Sequence, residues 1–134
     1  MSRSGYSEDN DDTWAHIRWR GAVNSALRGA KGQAFLKELD AALDALPEKK
    51  LVASDLEVNG CFCALGAVGK ARGIDLSKID TYDHEALSKT FGIAPAMAQE
   101  IMWVNDDLDG WGLTGGEYDF KRWQEVKQWV KEHL

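Results

Sequence analysis

Residues 60–75 read Gly-Cys-Phe-Cys-Ala-Leu-Gly-Ala-Val-Gly-Lys-Ala-Arg-Gly-Ile-Asp, and this stretch decides the fold. Cys61, Leu65 and Val68 recur at helical spacing, and the glycines and alanines between them let neighbouring backbones approach closely. The basic residues near its end suit the negative end of a helix, and Gly73 suits the left-handed residue that ends one. The stretch therefore predicts a buried central helix around which the other elements pack.

The flanking sequence predicts further helices on both sides of this centre. Residues 1–12 form a polar, acidic arm that we expect to be disordered. Apolar stripes predict helices over residues 13–29, 32–46, 83–91 and 94–104, and a last helix from residue 117 onward. Residues 51–58 fit a short strand or an irregular crossing, and residues 105–116 read as an acidic, glycine-rich loop. We expect an all-α fold, with one helical domain of about five or six helices over residues 13–134.

The composition is that of a globular domain with an uneven distribution of charge. The chain has 134 residues and a net charge of −6. Residues 13–37 contain five basic residues and no acidic one, whereas residues 83–119 contain eight acidic residues and one lysine. No apolar run is typical of a signal peptide or a membrane span, and cysteines separated by one residue pair poorly as a disulfide. We therefore expect a cytoplasmic protein with reduced thiols and no bound cofactor.

Several segments resemble a group of small proteins encoded by bacteriophages and prophages. They are Met1–Ser7, Arg28–Leu36, Ala41–Pro47, Cys63–Asp75, Phe91–Ala94 and Asn105–Asp106. More distantly, the Cys63-Ala-Leu-Gly-Ala67 block with Asn105-Asp106 and a tryptophan-bearing terminal helix is similar to a bacterial domain family of unknown function. The resemblance implies a phage or mobile-element setting inside a bacterium. It implies no activity and no catalytic residue.

The predicted loop after residue 104 has the opening pattern of a calcium-binding EF-hand loop. With Asn105 at the first position, Asp107 and Asp109 fall on ligand positions, and Gly110 follows where the loop turns sharply. The closing glutamate should then stand where the chain has Gly116. A calcium site formed by Asn105, Asp107 and Asp109 is therefore one interpretation, and a solvated loop with a capping aspartate is the other. We expect no resident metal.

Cys63 is the candidate nucleophile, because it lies near the start of the central helix, where the helix dipole favours a thiolate. A thiol nucleophile also needs a base. The three histidines, His16, His84 and His133, are far from it in sequence. Cysteine is also among the most buried residue types, and we expect Cys63 to be a core residue.

Two further patterns are typical of nucleic-acid binding. Residues 87–93 have the spacing of a helix-turn-helix, but the recognition helix that would follow has no lysine or arginine and precedes an aspartate pair. The first helix interleaves arginines with Trp14 and Trp19, a mixture that suits single-stranded nucleic acid, the protein's own acidic segment or a partner protein. Since the chain as a whole is acidic, we expect a protein partner rather than nucleic acid, and we place Trp19 in the core.

These patterns favour a non-enzymatic phage accessory protein that binds a host or phage protein, for instance as an inhibitor of a bacterial defence or regulatory system. The expected binding residues are Asp106, Asp107, Asp109 and Trp111 on an acidic face, with Arg18 and Arg20 as a second surface. The alternatives are a small enzyme that uses Cys63 with Asn105 or Asp106, a nucleic-acid-binding regulator and a self-associating structural component. The oligomeric state is left open.

Overall fold

The computed structural model describes residues 3–5, 13–107 and 116–134, which form a mostly helical fold. Six α-helices occur in these residues, in agreement with the sequence prediction. They are α1 (Thr13–Arg28), α2 (Ala30–Ala45), α3 (Ala64–Arg72), α4 (His84–Phe91), α5 (Pro95–Asp107) and α6 (Gly116–His133). A 3₁₀ turn spans Leu76–Lys78, and β1 (Glu57–Val58) pairs antiparallel with β2 (Cys61–Phe62).

The α3 helix is the buried centre that the sequence predicts, but it begins at Ala64, so Cys61 lies on β2 rather than on the helical stripe. Residues Ala64–Gly69 are all buried, and α3 packs against α2, α5 and β2. Cys63 is its N-cap, and Gly73, with a φ of 74°, ends it in the left-handed conformation that favours glycine. A Cβ atom on Gly66 would lie 2.0 Å from the carbonyl oxygen of Leu56. Glycine is therefore required where the chain before β1 crosses α3.

Residues 51–58 are mostly irregular, and they end in a short hairpin. Asn59 and Gly60 join the strands with φ angles of 50° and 81°, which is the two-residue turn typical of an Asn-Gly pair. The Val52 N–H donates to the carbonyl oxygen of Phe62 at 2.9 Å. This bond ties the irregular stretch to β2, so the segment closes over the N-terminal end of α3.

The α4 and α5 helices form the turn-linked pair that the sequence predicts, but α5 ends later than predicted. Gly92 ends α4 with a φ of 72°, and Pro95 begins α5. The acidic and glycine-rich composition assigns Asn105 to a loop, whereas α5 continues to Asp107. Because of this extension, the Asn105 and Asp106 side chains lie inside the protein, where the two residues are 2% and 4% exposed.

The remaining long helices pack around α3 and α5, with α1 against α5 and α2, and α6 against α2 and α5. Their predicted apolar stripes are largely buried, as shown by Val23, Leu27, Phe35, Leu39, Ala42, Leu43, Val126 and Val130. Phe120 is an exception, because it is 47% exposed. Asp119 and Arg122 are buried on that turn of α6, where the Asp119 backbone carbonyl accepts from the Leu51 N–H and the Arg122 NH1 nitrogen donates to the Leu51 carbonyl oxygen.

Residues 3–5 differ from the predicted disordered arm. Arg3 and Ser4 are 2% and 0% exposed and lie against the interior formed by α3 and α5. The prediction rests on the polar composition of the arm, and a buried ion pair overrides that composition here. The rest of the predicted arm, residues 1–2 and 6–12, lies outside the described residues.

Helices suited to crossing a membrane are absent from the described part of the chain. Even α6, which has 18 residues, carries charged side chains along its whole length.

Candidate functional site

A buried polar cluster joins the N-terminus of α3, the last turn of α5 and residues 3–5. Its members, which we call the Arg3 cluster, are the buried Arg3, Cys63, Asn105 and Asp106 with the backbone N–H of the exposed Ser54. Burying polar groups is unfavourable unless each of them finds a hydrogen-bond partner. The partners come from residues far apart in sequence, so the cluster depends on the complete fold.

Cys63 and Asn105 supply acceptors to the first backbone N–H groups of α3, which have no partner within the helix. The Cys63 Sγ accepts from the Gly66 N–H at 3.3 Å, and the Asn105 Oδ1 accepts from the Ala64 N–H at 3.0 Å. The Asn105 Nδ2 donates to the Asp106 Oδ1 at 2.8 Å and to a backbone carbonyl before β1 at 2.9 Å. One amide therefore connects the two sequence blocks, 63–67 and 105–106.

Asp106 forms a two-pronged ion pair with Arg3. The Arg3 Nε lies 2.7 Å from Oδ2, and the NH2 nitrogen lies 2.9 Å from Oδ1. The two side chains are 1% and 4% exposed. The Ser54 N–H donates to the same Oδ1 at 3.0 Å, from a residue whose φ of 72° is uncommon outside glycine. The Asp106 carboxylate thus accepts hydrogen bonds from two distant parts of the chain, Arg3 and Ser54, and from the neighbouring Asn105.

Arg3 also contacts the thiol of Cys63. Its NH1 nitrogen donates to the Cys63 Sγ at 3.6 Å. Burial alone lowers the pKa of Arg3, because a buried cation loses its hydration, but Cys63 and Asp106 outweigh burial and raise the pKa above its ordinary value. The guanidinium therefore remains a cation inside the protein.

Side chains from α4 and α5 hold the backbone of residues 3–5. The His84 Nε2 donates to the carbonyl oxygen of Arg3 at 2.7 Å, and the Gln99 Nε2 donates to that of Ser4 at 3.0 Å. Gly5 has a φ of 76°, and a Cβ atom on it would lie 3.2 Å from both of these side chains. Arg3, Ser4 and Gly5 therefore each fit the position that they occupy.

The structure brings the three residues of the cysteine-enzyme hypothesis together, but in a closed cluster. Cys63 is 0% exposed, which agrees with the core interpretation. Within the described residues none of the three histidines hydrogen-bonds to it, since His84 and His133 bond to backbone carbonyls and His16 is exposed. A thiol nucleophile needs a base and access to substrate. The cluster is better suited to holding a guanidinium than to nucleophilic chemistry.

The predicted acidic face is divided by the structure. Asp106 is buried and paired with Arg3, so it is not part of an exposed acidic face. Asn105, the predicted first calcium ligand, bonds to the N-terminus of α3 instead, because the extension of α5 turns its side chain inward. Asp107 is half-buried, whereas Asp109 and Trp111 lie outside the described residues. Across the described ranges, no three metal-ligating side chains converge on a possible metal position.

The predicted basic surface on α1 is also divided. The NH1 and NH2 nitrogens of Arg20 lie 2.8 Å and 3.1 Å from the carboxylate oxygens of Glu100, which is 3% exposed. Arg20 is therefore paired with a buried carboxylate of its own chain, although its side chain remains 38% exposed. Trp19 packs against the core, as the sequence predicts. Arg18 lies on the other side of the helix and is exposed.

The exposed side of α1 carries a feature that the sequence analysis missed. Trp14 and Ile17 are 72% and 54% exposed, and they share one face of the helix with Arg18, Gly21 and Arg28. We call these five residues the outer face of α1. The sequence analysis noted Trp14 among the arginines and overlooked Ile17. A signal was available, because Ile17 lies off the apolar stripe that faces the core.

The Arg3 cluster and the outer face of α1 are thus the two candidate sites in the described residues. The first holds charge inside the protein, and the second presents large apolar side chains outside it. Comparison of the chain with protein-family models, with curated proteins and with solved structures finds no match.

Proposed function

We propose that the protein is a non-enzymatic accessory protein of a phage or mobile element, acting in the bacterial cytoplasm by binding a host or phage protein. The observation that carries this proposal is the outer face of α1, where the exposed Trp14 and Ile17 lie beside Arg18. Clustered exposed apolar side chains mark interaction sites, whereas isolated ones are ordinary. The outer face replaces the acidic face as the proposed contact surface.

The charge of the outer face indicates the kind of partner. Residues 13–37 contain five basic residues and no acidic one, and Arg18 and Arg28 of this segment are exposed on the outer face. Complementary charge steers association and excludes wrong partners. We therefore propose an acidic protein surface, with Trp14 and Ile17 as apolar anchors. Inhibition of a bacterial defence or regulatory protein is the consequence that we propose for a host partner.

Nucleic acid fits the described residues less well than an acidic protein does. The α5 helix takes the place of the recognition helix, but most of its side chains are buried and none is a lysine or arginine. Nucleic acids are bound mainly through cations that face the phosphates. Trp14 could stack on a base, whereas Ile17 beside it offers an apolar contact that a protein surface would bury.

Cysteine chemistry is the second candidate function, because Cys63, Asn105 and Asp106 lie together. Two observations weigh against it: Cys63 is fully buried, and its Sγ already accepts hydrogen bonds. Labelling of the native protein with iodoacetamide separates the two roles. We expect Cys61, which is partly exposed, to react well before Cys63. Rapid labelling of Cys63 would favour the enzyme instead.

An affinity pull-down from nuclease-treated host lysate tests the binding proposal. The double substitution Trp14→Ser/Ile17→Ser removes the anchors, and Arg18→Glu reverses the neighbouring charge. Surface substitutions of this kind change the free energy of unfolding by only about 0.5 kcal/mol, so the variants should fold. Loss of a tryptophan anchor weakens binding by about 30-fold, which corresponds to about 2 kcal/mol. We expect the wild type to capture one acidic protein that both variants lose.

Tyr82→Ser is the matched control, because Tyr82 is 60% exposed and lies outside α1. This variant should capture the same protein as the wild type. Equal capture by the outer-face variants would contradict the proposal. Captured material that appears only without nuclease treatment would contradict it as well and would favour nucleic acid.

A further inference from the structure

Residues 3–5 fill the Arg3 cluster through polar contacts. Arg3, Ser4 and Gly5 have no apolar side chain among them and form no helix or strand. Segments that bury little apolar surface open at a lower free energy than the core does. Loss of these polar contacts would therefore release residues 3–5 without unpacking the apolar core, to which they contribute no side chain.

The receiving side of the cluster belongs to the rest of the fold. Asp106 lies on α5, Cys63 caps α3, and the Ser54 N–H holds the Asp106 Oδ1 at 3.0 Å. None of these positions depends on a covalent neighbour of Arg3. If Arg3 leaves, the Asp106 carboxylate stays inside the protein without its cation, which is strongly unfavourable. The vacated position therefore favours another cation.

We propose that Asp106 and Cys63 form a guanidinium-binding site, which Arg3 fills within its own chain and which accepts an arginine side chain from outside once residues 3–5 leave. This inference concerns a different surface from the outer face of α1 and does not rest on the proposed function. The external arginine is supplied by a second copy of this chain or by another protein. Both sources present the same group to the site.

The geometry selects a guanidinium over an ammonium. Three nitrogens of Arg3 are used: Nε and NH2 bond to the two oxygens of Asp106, and NH1 reaches the Cys63 Sγ. A guanidinium is planar and offers donors in this fork, whereas a lysine ammonium is a single point of charge on a flexible stem. Lysine should therefore fill the site much less well than arginine.

The chain itself competes for its own site. Because Arg3 belongs to the same chain as Asp106 and Cys63, it competes at an effective concentration of roughly 1 mM or more. External arginine should therefore have little effect on the wild type. Removing the Arg3 side chain in the full-length protein should make the external ligand visible.

The test is thermal unfolding of full-length Arg3→Ala with 10 mM arginine, methylguanidine or lysine, or with a peptide of sequence Met-Ser-Arg-Ser-Gly. We expect the substitution to lower the melting temperature by about 10 °C, because it strands a buried carboxylate. The guanidinium probes should restore several degrees, and lysine should not. Equal responses to arginine and lysine, or no loss of melting temperature in Arg3→Ala, would overturn the proposal.

A second variant controls for general effects of guanidinium compounds. In Arg3→Ala/Asp106→Leu the site has lost its carboxylate, so we expect no response to arginine. A persistent response would overturn the proposal. If Arg3→Ala alone fails to fold, the peptide should restore folding during refolding from denaturant, and failure to do so would count against the site equally.

The alkylation rate of Cys63 reports independently on whether the guanidinium-binding site is occupied. Alkylation of Cys63 should be about ten-fold faster in Arg3→Ala than in the wild type, and the peptide should slow it again, since the Arg3 side chain contacts this buried thiol and its removal opens access to it. Mixing Arg3→Ala with Asp106→Leu then identifies the source. A heterodimer shows that a second copy supplies the arginine, whereas peptide binding without a heterodimer points to another protein. If neither a heterodimer nor peptide binding is observed, the proposal is overturned.

Discussion

Two arginine–carboxylate pairs in this protein have the same geometry and lie in opposite environments. Arg72 binds Glu38 through Nε and NH2 at 2.7 Å and 2.6 Å, and Arg3 binds Asp106 through the same atoms at 2.7 Å and 2.9 Å. The side chains of the first pair are 30% and 37% exposed, whereas those of the second are 1% and 4% exposed. Hydrogen-bond distances therefore do not distinguish them.

The difference between the pairs shows that burial, rather than geometry, sets the consequence of losing a partner. Water replaces either member of the exposed pair, so its net contribution is small. The buried pair has no such substitute, and removal of one member leaves an ion in a medium that solvates it poorly. The Arg3 pair therefore holds residues 3–5 in place, while the Arg72 pair reinforces the contact between α2 and α3, and the Arg72 NH1 nitrogen also donates to backbone carbonyls at the end of α4.

The largest predicted effect comes from neutralising the carboxylate of the buried pair. Asp106→Asn keeps the shape of the side chain and an oxygen that can accept from Ser54 and Asn105, but leaves Arg3 without a counter-charge. We expect the free energy of unfolding to fall by about 3–5 kcal/mol. Glu38→Gln is the matched change in the exposed pair and should lower it by less than about 1 kcal/mol. Urea denaturation of both variants measures the difference, and similar losses would refute the comparison.

A second prediction tests whether the backbone around the buried pair is as closely packed as the distances indicate. Gly66→Ala places a Cβ atom 2.0 Å from the backbone oxygen of Leu56, so the segment must move or the helix must shift. We expect a loss of about 3 kcal/mol. Gly21→Ala is the control on the outer face of α1, where a Cβ atom meets nothing within 4 Å. It should stabilise the protein by up to about 1 kcal/mol through helix propensity. A neutral Gly66→Ala would show that the segment before β1 moves freely.

An intermediate effect is predicted for an ion pair of intermediate exposure. The side chain of Arg20 is 38% exposed, while its partner Glu100 is only 4% exposed. Arg20→Ala removes this cation from a buried carboxylate, and we expect a loss of about 1–3 kcal/mol. Arg18→Ala, two residues earlier on the exposed side, should change stability by less than about 0.5 kcal/mol. Equal losses of stability in Arg20→Ala and Arg18→Ala would show that burial of the partner carboxylate does not determine the size of the loss.

The apolar framework could be predicted from the sequence because its signal is periodic and local. The spacing around Leu65 and Val68 and the left-handed Gly73 identified α3 as the buried centre, and the Asn59-Gly60 pair before it is a turn signal of the same local kind. Each of these signals needs only the residues within one or two turns of it. Core positions follow from the same periodicity.

The Arg3 cluster could not be predicted in this way, because its members leave no local pattern. Arg3 and Asp106 are separated by 103 residues, and each lies in a stretch whose composition predicts exposure. A single arginine in an acidic arm and an aspartate in an Asn-Asp-Asp run both resemble solvated residues. Only the end of α5, three residues beyond the predicted boundary, turns Asp106 inward. The resemblance singled out residues 63–67 and Asn105-Asp106, which lie in the cluster, but it did not predict the hydrogen bonds that join them or the pairing with Arg3.

The smallest predicted effect concerns the pH dependence of the exposed pair. The hydrogen bonds from Arg72 lower the pKa of Glu38 below its ordinary value of 4.5. A carboxyl whose folded pKa is depressed adds stability above its unfolded pKa and loses it as the pH falls through the folded pKa. The wild type should therefore exceed Glu38→Gln in stability by less than about 1 kcal/mol at pH 7, and this margin should shrink as the pH falls below 4.5 and through the lowered pKa of Glu38. Added salt should shrink it at pH 7 as well, since exposed charges are screened. A margin that is insensitive to both pH and salt would mean that Glu38 acts through packing, and the exposed pair would then not be a purely electrostatic counterpart of the buried one.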